Sequence, residues 1–346
     1  MLNDLQRISV KCRNMSVAAI VCVVAIHSHA LVTQTASPHW MWVLCDIVFG
    51  KLTCWAVPFF FAVSGYWFGV KECVSEGSFE VACFYRKKFK TLCVPYAFFV
   101  LFGLVASIPL AYMAGTKNGD GTLAHIDLSW DILGVTKLLP TGNGPMWYLR
   151  TLIFLFILAP VWRFVALRFK WLLLPMAGMA LISPPIVISG VVPFRVGQSS
   201  FFFLGLFLSQ CKSVTIRRSL WAVGGLALVA CGLIWSDLLL GKYGLAVSGV
   251  LPYIMLGFVW ALYDVVAPPS FAKVSRLSSY VFWIFGVHII FLNWMLPPLR
   301  SFVRSQIMLL IMTPAAALGA VLLSVAFAML TEKTSKTLYN TIVGGR

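Results

Sequence analysis

Charged residues are scarce. Asp, Glu, Lys and Arg make up 11% of the 346 residues, where soluble domains carry about 25%. Hydrophobic residues account for 60% and mean hydropathy is +0.90, which excludes an ordinary soluble globular domain. No polar stretch is long enough to form a separate soluble domain, so residues 1–346 read as one transmembrane domain with no fused soluble one. Only eleven residues are acidic, and paired-carboxylate chemistry inside a membrane therefore has few candidates. Asp46, Asp237 and Asp264 lie near the ends of apolar runs, where helix caps and interfacial residues are expected. The nine cysteines include no Cys-x-x-Cys pair, which points to neither a zinc site nor a disulfide framework, and no metal is expected. A Walker loop, a His-Glu-x-x-His pair, a dinucleotide-binding glycine fingerprint and a Ser-His-Asp order are also missing. A coupled transporter needs an intramembrane carboxylate or an inverted repeat, and neither stands out.

What the chain has is long apolar runs. About ten can be counted, at roughly 15–33, 47–70, 91–113, 147–164, 171–190, 199–211, 219–237, 245–263, 279–297 and 306–330. The sixth is short and Pro184-Pro185 interrupts the fifth, as is tolerated at membrane depth where protein covers the backbone. Arg7, Lys11 and Arg13 precede the first run without a small-residue cleavage site, so it reads as a retained helix. With the N-terminus inside, 19 of the 27 Lys and Arg residues fall in cytoplasmic segments and 7 on the other side. That bias predicts both termini in the cytoplasm. It also accounts for the net charge of +16 without a nucleic-acid partner. The expected fold is an all-α integral membrane protein of about ten transmembrane helices.

The first run, Ser16 to Ile26, ends in His27-Ser28-His29. From Ser16 to His27 an α-helix rises about 16 Å, half a bilayer core, and returns to within about 20° of the same face. Arg13, one turn earlier, lies within about 40° of that face. A cation near the membrane end with an imidazole deeper on one stripe is costly in lipid and marks a candidate site; a histidine packed between helices is the alternative. His29 lies about 200° round from His27, so the two cannot share a site unless the helix breaks. Arg86, Lys87, Lys88 and Lys90 form a basic run suited to an anionic, phosphate-bearing ligand. Topology and anionic lipid account for such runs equally well. The loop at about 114–146 carries His125 and ends in the turn residues Pro140-Thr-Gly-Asn-Gly-Pro145.

Taken together and in order, several stretches resemble the acyltransferase-3 family of multispan membrane acyltransferases. They are Val23-Val-Ala-Ile-His27-Ser28, Pro58-Phe-Phe-Phe-Ala-Val-Ser-Gly65-Tyr66, Arg86-Lys-Lys-Phe-Lys-Thr-Leu-Cys-Val-Pro95-Tyr96, and Gly144-Pro-Met-Trp147-Tyr-Leu149 leading to Ala159-Pro160. Ser279 to His288 is similar to the family's late helix with a histidine. The resemblance implies transfer of an acyl group, most often acetyl, from cytoplasmic acyl-CoA to a hydroxyl of a surface polysaccharide or lipid-linked sugar. It implies a cytoplasmic (inner) membrane location and no metal. It assigns His27 and Arg13 as the candidate catalytic residues: the family's arginine falls at Ser16 in this chain, and Arg13, one turn earlier on nearly the same face, is expected to stand in for it. Arg86, Lys87, Lys88, Lys90 and Ser16 are then the candidate acyl-CoA contacts, lysine replacing the bidentate arginine fork at three of them. Ser64, Tyr66, Trp147, Tyr148 and His288 are candidate acceptor-pocket residues, with aromatic packing at the interface as the alternative for Trp147 and Tyr148. The rival reading is a non-catalytic exporter or flippase of a glycan or lipid-linked intermediate.

Overall fold

The computed structural model describes residues 2–29, 39–74, 79–118, 144–182, 196–211, 220–240, 244–266, 276–303 and 305–345. His125 and the Pro184-Pro185 break lie outside them. Among the described residues the chain is helical, with no strand. In chain order the helices are α1 (Leu2–Ser28), α2 (His39–Cys45), α3 (Ala56–Phe68), α4 (Val81–Lys88), α5 (Val94–Asn118), α6 (Trp147–Ile157) and α7 (Ala159–Arg168). There follow α8 (Leu173–Ile182), α9 (Val196–Ser209), α10 (Leu220–Leu240), α11 (Gly244–Val266), α12 (Val281–Phe302), α13 (Gln306–Thr334) and α14 (Lys336–Ile342).

Six continuous helical stretches among the described residues are long and apolar enough to cross a bilayer, or seven with one bent pair. This is a multipass membrane protein; among the described residues, seven of the ten apolar runs meet that test, one of them as the bent pair. Gly197–Ser209 is apolar but short; at 1.5 Å per residue it covers about 20 Å of a core about 30 Å thick. The basic run does not sit in a loop: α4 continues through a π turn, Phe89–Cys93, into α5, giving one span from Val81 to Ala106. Helices α6 and α7 bend by 63° about Leu158. Pro160 has no N–H to continue the α6 ladder, which leaves carbonyls at the bend to be satisfied by side chains. Trp162 Nε1 donates to the Leu155 carbonyl at 2.8 Å and Tyr85 Oη donates to that of Ile157 at 2.6 Å. In lipid such carbonyls have no water to turn to, so these two side chains are what make the bend affordable.

Two further π turns, Asp46–Lys51 and Gly69–Val74, flank α3. The closest helix crossing joins α3 to α9, and glycine makes it possible from both sides. A Cβ on Gly65 would stand 1.9 Å from the Phe202 carbonyl oxygen, and one on Gly205 would stand 1.9 Å from that of Ala62. Small residues are how membrane helices bring backbones into contact, since lipid supplies no hydrophobic drive between them. Helix α1 packs against α3, α12 and α13. Near its start it is tied to α11: Lys11, 7% exposed, lies 2.7 Å from an Asp264 carboxylate oxygen, donates to the Trp260 carbonyl at 2.8 Å and sits 3.8 Å above the Trp260 ring. A buried ammonium is tolerable only with that degree of compensation.

The C-terminal helix α14 turns back against the bundle. Ser335 caps it by accepting from the Leu338 N–H, and Tyr339, Ile342 and Val343 are buried. Burial and the nearby Glu332 carboxylate hold the Tyr339 phenol above its usual pKa, so it remains a donor to the Ser279 carbonyl at 3.2 Å. Gly344 has φ +71° and a Cβ there would fall 2.8 Å from Thr91 Cα, so only glycine fits. The tail thus buttresses Ser279 and Thr91 from behind.

Candidate active site

Thr91 and Ser279 both face a cavity of about 840 Å³ between α1, α3, α4, α6 and α12. Helix α3 lines it with one stripe, Phe60, Val63, Ser64, Trp67, Phe68 and then Lys71, which is the helical repeat of three and four residues. Helix α1 contributes Arg13 and Ser16, and α6 contributes Tyr148. Four cations, Arg13, Lys71, Lys87 and Lys88, share this cavity with two carboxylates, Glu72 and Glu80, so its charge is net positive. Lys88 Nζ lies 3.7 Å over the Phe156 ring and Lys71 Nζ 5.9 Å from the Trp67 ring centre, placing ammonium charge against aromatic faces. Inside, Ser64 Oγ and Tyr148 Oη are 3.4 Å apart, and Ser16 Oγ donates to the Arg13 carbonyl at 2.7 Å.

Beyond the cavity the same helices carry two histidines. On α12 and the short turn before it, Ser278, Val281, Phe282 and Phe285 line the wall, and His288 is the next residue on that face. The Phe285 ring packs on Tyr148 at 5.4 Å and on His288 at 6.2 Å between centroids. His288 in turn faces His27, with ring centroids 5.3 Å apart. Since Arg13 and Ser16 share the cavity with Ser278 and Phe282 while His27 meets His288, α1 and α12 run side by side in the same direction. His288 is fully buried and its Nδ1 lies 3.0 and 2.9 Å from the carbonyl oxygens of Ile284 and Phe285. His27 is half-buried at the end of α1. Helix α1 is unbroken to Ser28, and His29 faces elsewhere, 6.4 Å from the Phe49 ring, as the 200° step requires.

The structure brings together Arg13, Ser16, Ser64, Lys87, Lys88 and Tyr148, and sets His27 and His288 behind them. It leaves out the other expected site residues for helical reasons. Tyr66 is two residues from Ser64, about 200° round α3, and does not line the cavity; its ring packs on Trp67 at 5.5 Å. Trp147 is one step from Tyr148 and packs on Phe61 at 6.2 Å. Arg86 points away from Lys87, into an adjoining apolar groove of about 390 Å³ with Phe89, Cys93 and Ile157, which shares only Lys88, Leu92 and Phe156 with the cavity. Lys90 is exposed and lines neither space. Sequence reasoning missed Trp67, Lys71, Ser278 and Phe285; the stripe through Ser64 would have indicated the first two. Among the described residues no cluster of three or more His, Cys, Asp or Glu could hold a metal ion.

The helical bundle thus holds a net-positive cavity with an imidazole pair further along two of its walls. The chain belongs to the acyltransferase-3 family: the family's acyltransferase domain matches residues 17–332, nearly its whole length. No curated protein and no solved structure matches it.

Proposed function

We propose that the protein is a membrane O-acyltransferase. It moves an acyl group, acetyl being the expected one, from acyl-CoA on the cytoplasmic side to a hydroxyl of a surface polysaccharide or lipid-linked sugar in the cytoplasmic membrane. The observation that carries this reading is the pairing of a net-positive cavity with His27 on shared helix walls. Lys87, Lys88, Lys71 and Arg13 suit the phosphates of the donor by charge-assisted hydrogen bonding. Ser16, Ser64 and Tyr148 offer hydroxyls along the path inward. At its end His27 takes the proton of the acceptor hydroxyl as the oxygen attacks the thioester carbonyl carbon. Collapse of the tetrahedral adduct breaks the carbon–sulfur bond, and the departing thiolate recovers the proton from His27. The products are the ester and free CoA.

The test is transfer of label from radiolabelled acetyl-CoA in membranes carrying the protein or an empty vector. Label in a glycan or lipid-linked fraction only when the protein is present is the expected result. No label above the empty vector, together with loss of surface glycan when the protein is absent, would make it an exporter instead. The division of the basic run gives a second test. Lys87→Gln with Lys88→Gln should raise KM for acetyl-CoA about 10-fold at low ionic strength and less at high salt, while Arg86→Gln leaves it unchanged. An equal effect from Arg86→Gln would remove the donor from this cavity.

A further inference from the structure

His288 is the one described histidine that combines complete burial with a ring nitrogen lacking any hydrogen-bond partner: Nε2 has none among the described residues. Its other nitrogen is fully committed. Nδ1 faces two carbonyl oxygens one turn back on α12, at 3.0 and 2.9 Å. Carbonyls only accept, so Nδ1 carries the proton, and in the neutral ring Nε2 is left as a bare acceptor. A buried acceptor without a donor is costly and calls for an explanation. The ring it faces is that of His27, tilted by 43° with centroids 5.3 Å apart. Two imidazoles joined by an in-line N–H···N bond of about 2.9 Å have centroids about 5 Å apart. The observed centroid spacing is that of such a bond.

We infer that His288 is the positioning residue for His27: its Nε2 accepts the N–H of His27, fixing the tautomer of His27 so that the opposite nitrogen is the one offered to the acceptor hydroxyl. This rests on the acyl-transfer reading above and deepens it, and it differs from the acceptor-binding role that the sequence suggests for His288. The arrangement is that of a nucleophile–base–orienter series in which the third group is usually a carboxylate. Here a neutral imidazole, itself locked by backbone carbonyls, takes that place. No proton leaves His288 in the cycle; as His27 becomes an imidazolium, the hydrogen bond to Nε2 becomes charge-assisted and stronger. The acceptor is thus paired most strongly at the moment of reaction, which lowers the barrier rather than tightening substrate binding.

The experiment is a series at one position. A glutamine side chain can set an acceptor oxygen near the Nε2 position, whereas asparagine places its amide near Nδ1 and leaves the His27 side empty. His288→Asn and His288→Leu should lower kcat about 100-fold with KM for acetyl-CoA unchanged, and His288→Gln should restore at least a tenth of the wild-type rate. Membrane level and thermal stability in detergent are measured for all three, and a comparison counts only between variants equal in both. Variants with reduced membrane levels are expressed at lowered temperature until His288→Gln and His288→Asn match. Asparagine or leucine variants as active as wild type, or losses that appear in KM, would overturn the assignment. So would equal kcat losses in the glutamine and asparagine variants. Activity of these variants alongside an inactive His27→Ala overturns the role of His288 alone; a wild type no better than the empty vector removes the acyl-transfer reading and this role with it.

Discussion

His27→Ala is expected to lower acyl transfer at least 100-fold while leaving the amount of protein in the membrane unchanged. General acid–base catalysis by a positioned side chain contributes about 10²–10⁴-fold, and alanine removes the proton carrier entirely. KM for the acyl donor should stay near the wild-type value, because none of the cations that suit its phosphates adjoins His27: Arg13 is fourteen residues back on α1, and Lys71, Lys87 and Lys88 are on other elements. His27 is half-buried near the helix end, so truncation opens no large void in the bundle. Purified wild type and variant at matched membrane levels, assayed with labelled acetyl-CoA over a range of concentrations, separate kcat from KM. Turnover by His27→Ala within a few-fold of wild type would end its claim to be the base.

The second large effect is on stability and has nothing to do with chemistry. Gly205→Ala should destabilise the protein severely, and Gly205→Val should leave no folded protein in the membrane fraction. A Cβ at Gly205 would lie 1.9 Å from the Ala62 oxygen, 2.7 Å from its carbonyl carbon and 2.9 Å from the Tyr66 nitrogen. These are backbone atoms, and no rotamer change relieves the overlap; the two helices must separate. Gly65 opposes Phe202 in the same way, so the crossing cannot slide to accommodate the extra carbon. Separation would also move the α3 stripe that carries Ser64 and Trp67 into the cavity, so residual protein should be inactive. Gly224→Ala and Gly232→Ala on α10 are the controls, because a Cβ at either meets nothing within 4 Å. Replacing a helical glycine in open space should be neutral or stabilising by about 0.5–1 kcal/mol. Melting in detergent, followed by loss of the monodisperse peak on heating, reads the three alanine variants, and the amount in the membrane fraction reads Gly205→Val. A Gly205→Ala protein that melts with the controls would show that the crossing is looser than its geometry indicates.

Helical periodicity made part of this site legible. Arg13, Ser16 and His27 can be placed on one stripe from spacing alone, and the structure puts the first two in the cavity and turns His27 toward His288. The same rule, applied to α3, separates Ser64 from Tyr66. What spacing could not give is which face of each helix turns inward when several are apolar all round. Trp147 and Tyr148 differ by about 100°, and nothing local says which is inside; the answer comes from Phe285, more than 130 residues later in the chain. Arg86 and Lys87 read as one basic run in sequence but diverge into two spaces on a helix. The meeting of His27 with His288 is likewise a long-range packing event between parallel helices. Among the described residues the runs at about 171–190, 199–211 and 219–237 are not full-length spans; hydropathy records composition, while bends such as that at Leu158 depend on proline placement and on what covers the exposed carbonyls.

The three π turns among the described residues bear on how this chain can change in length. A π turn is an α-helix holding one extra residue, with the helix resuming its course on either side. Gain or loss of a single residue within Gly69–Val74 or Phe89–Cys93 can therefore be absorbed on the spot, leaving Ser64 and Trp67 on one side, or Lys87 and Lys88, aimed as before. The same change inside α12, between Phe285 and His288, would turn everything beyond it by about 100° and carry His288 off His27. Length variation among relatives should therefore gather at the π turns and be missing from the helix that bears the second imidazole.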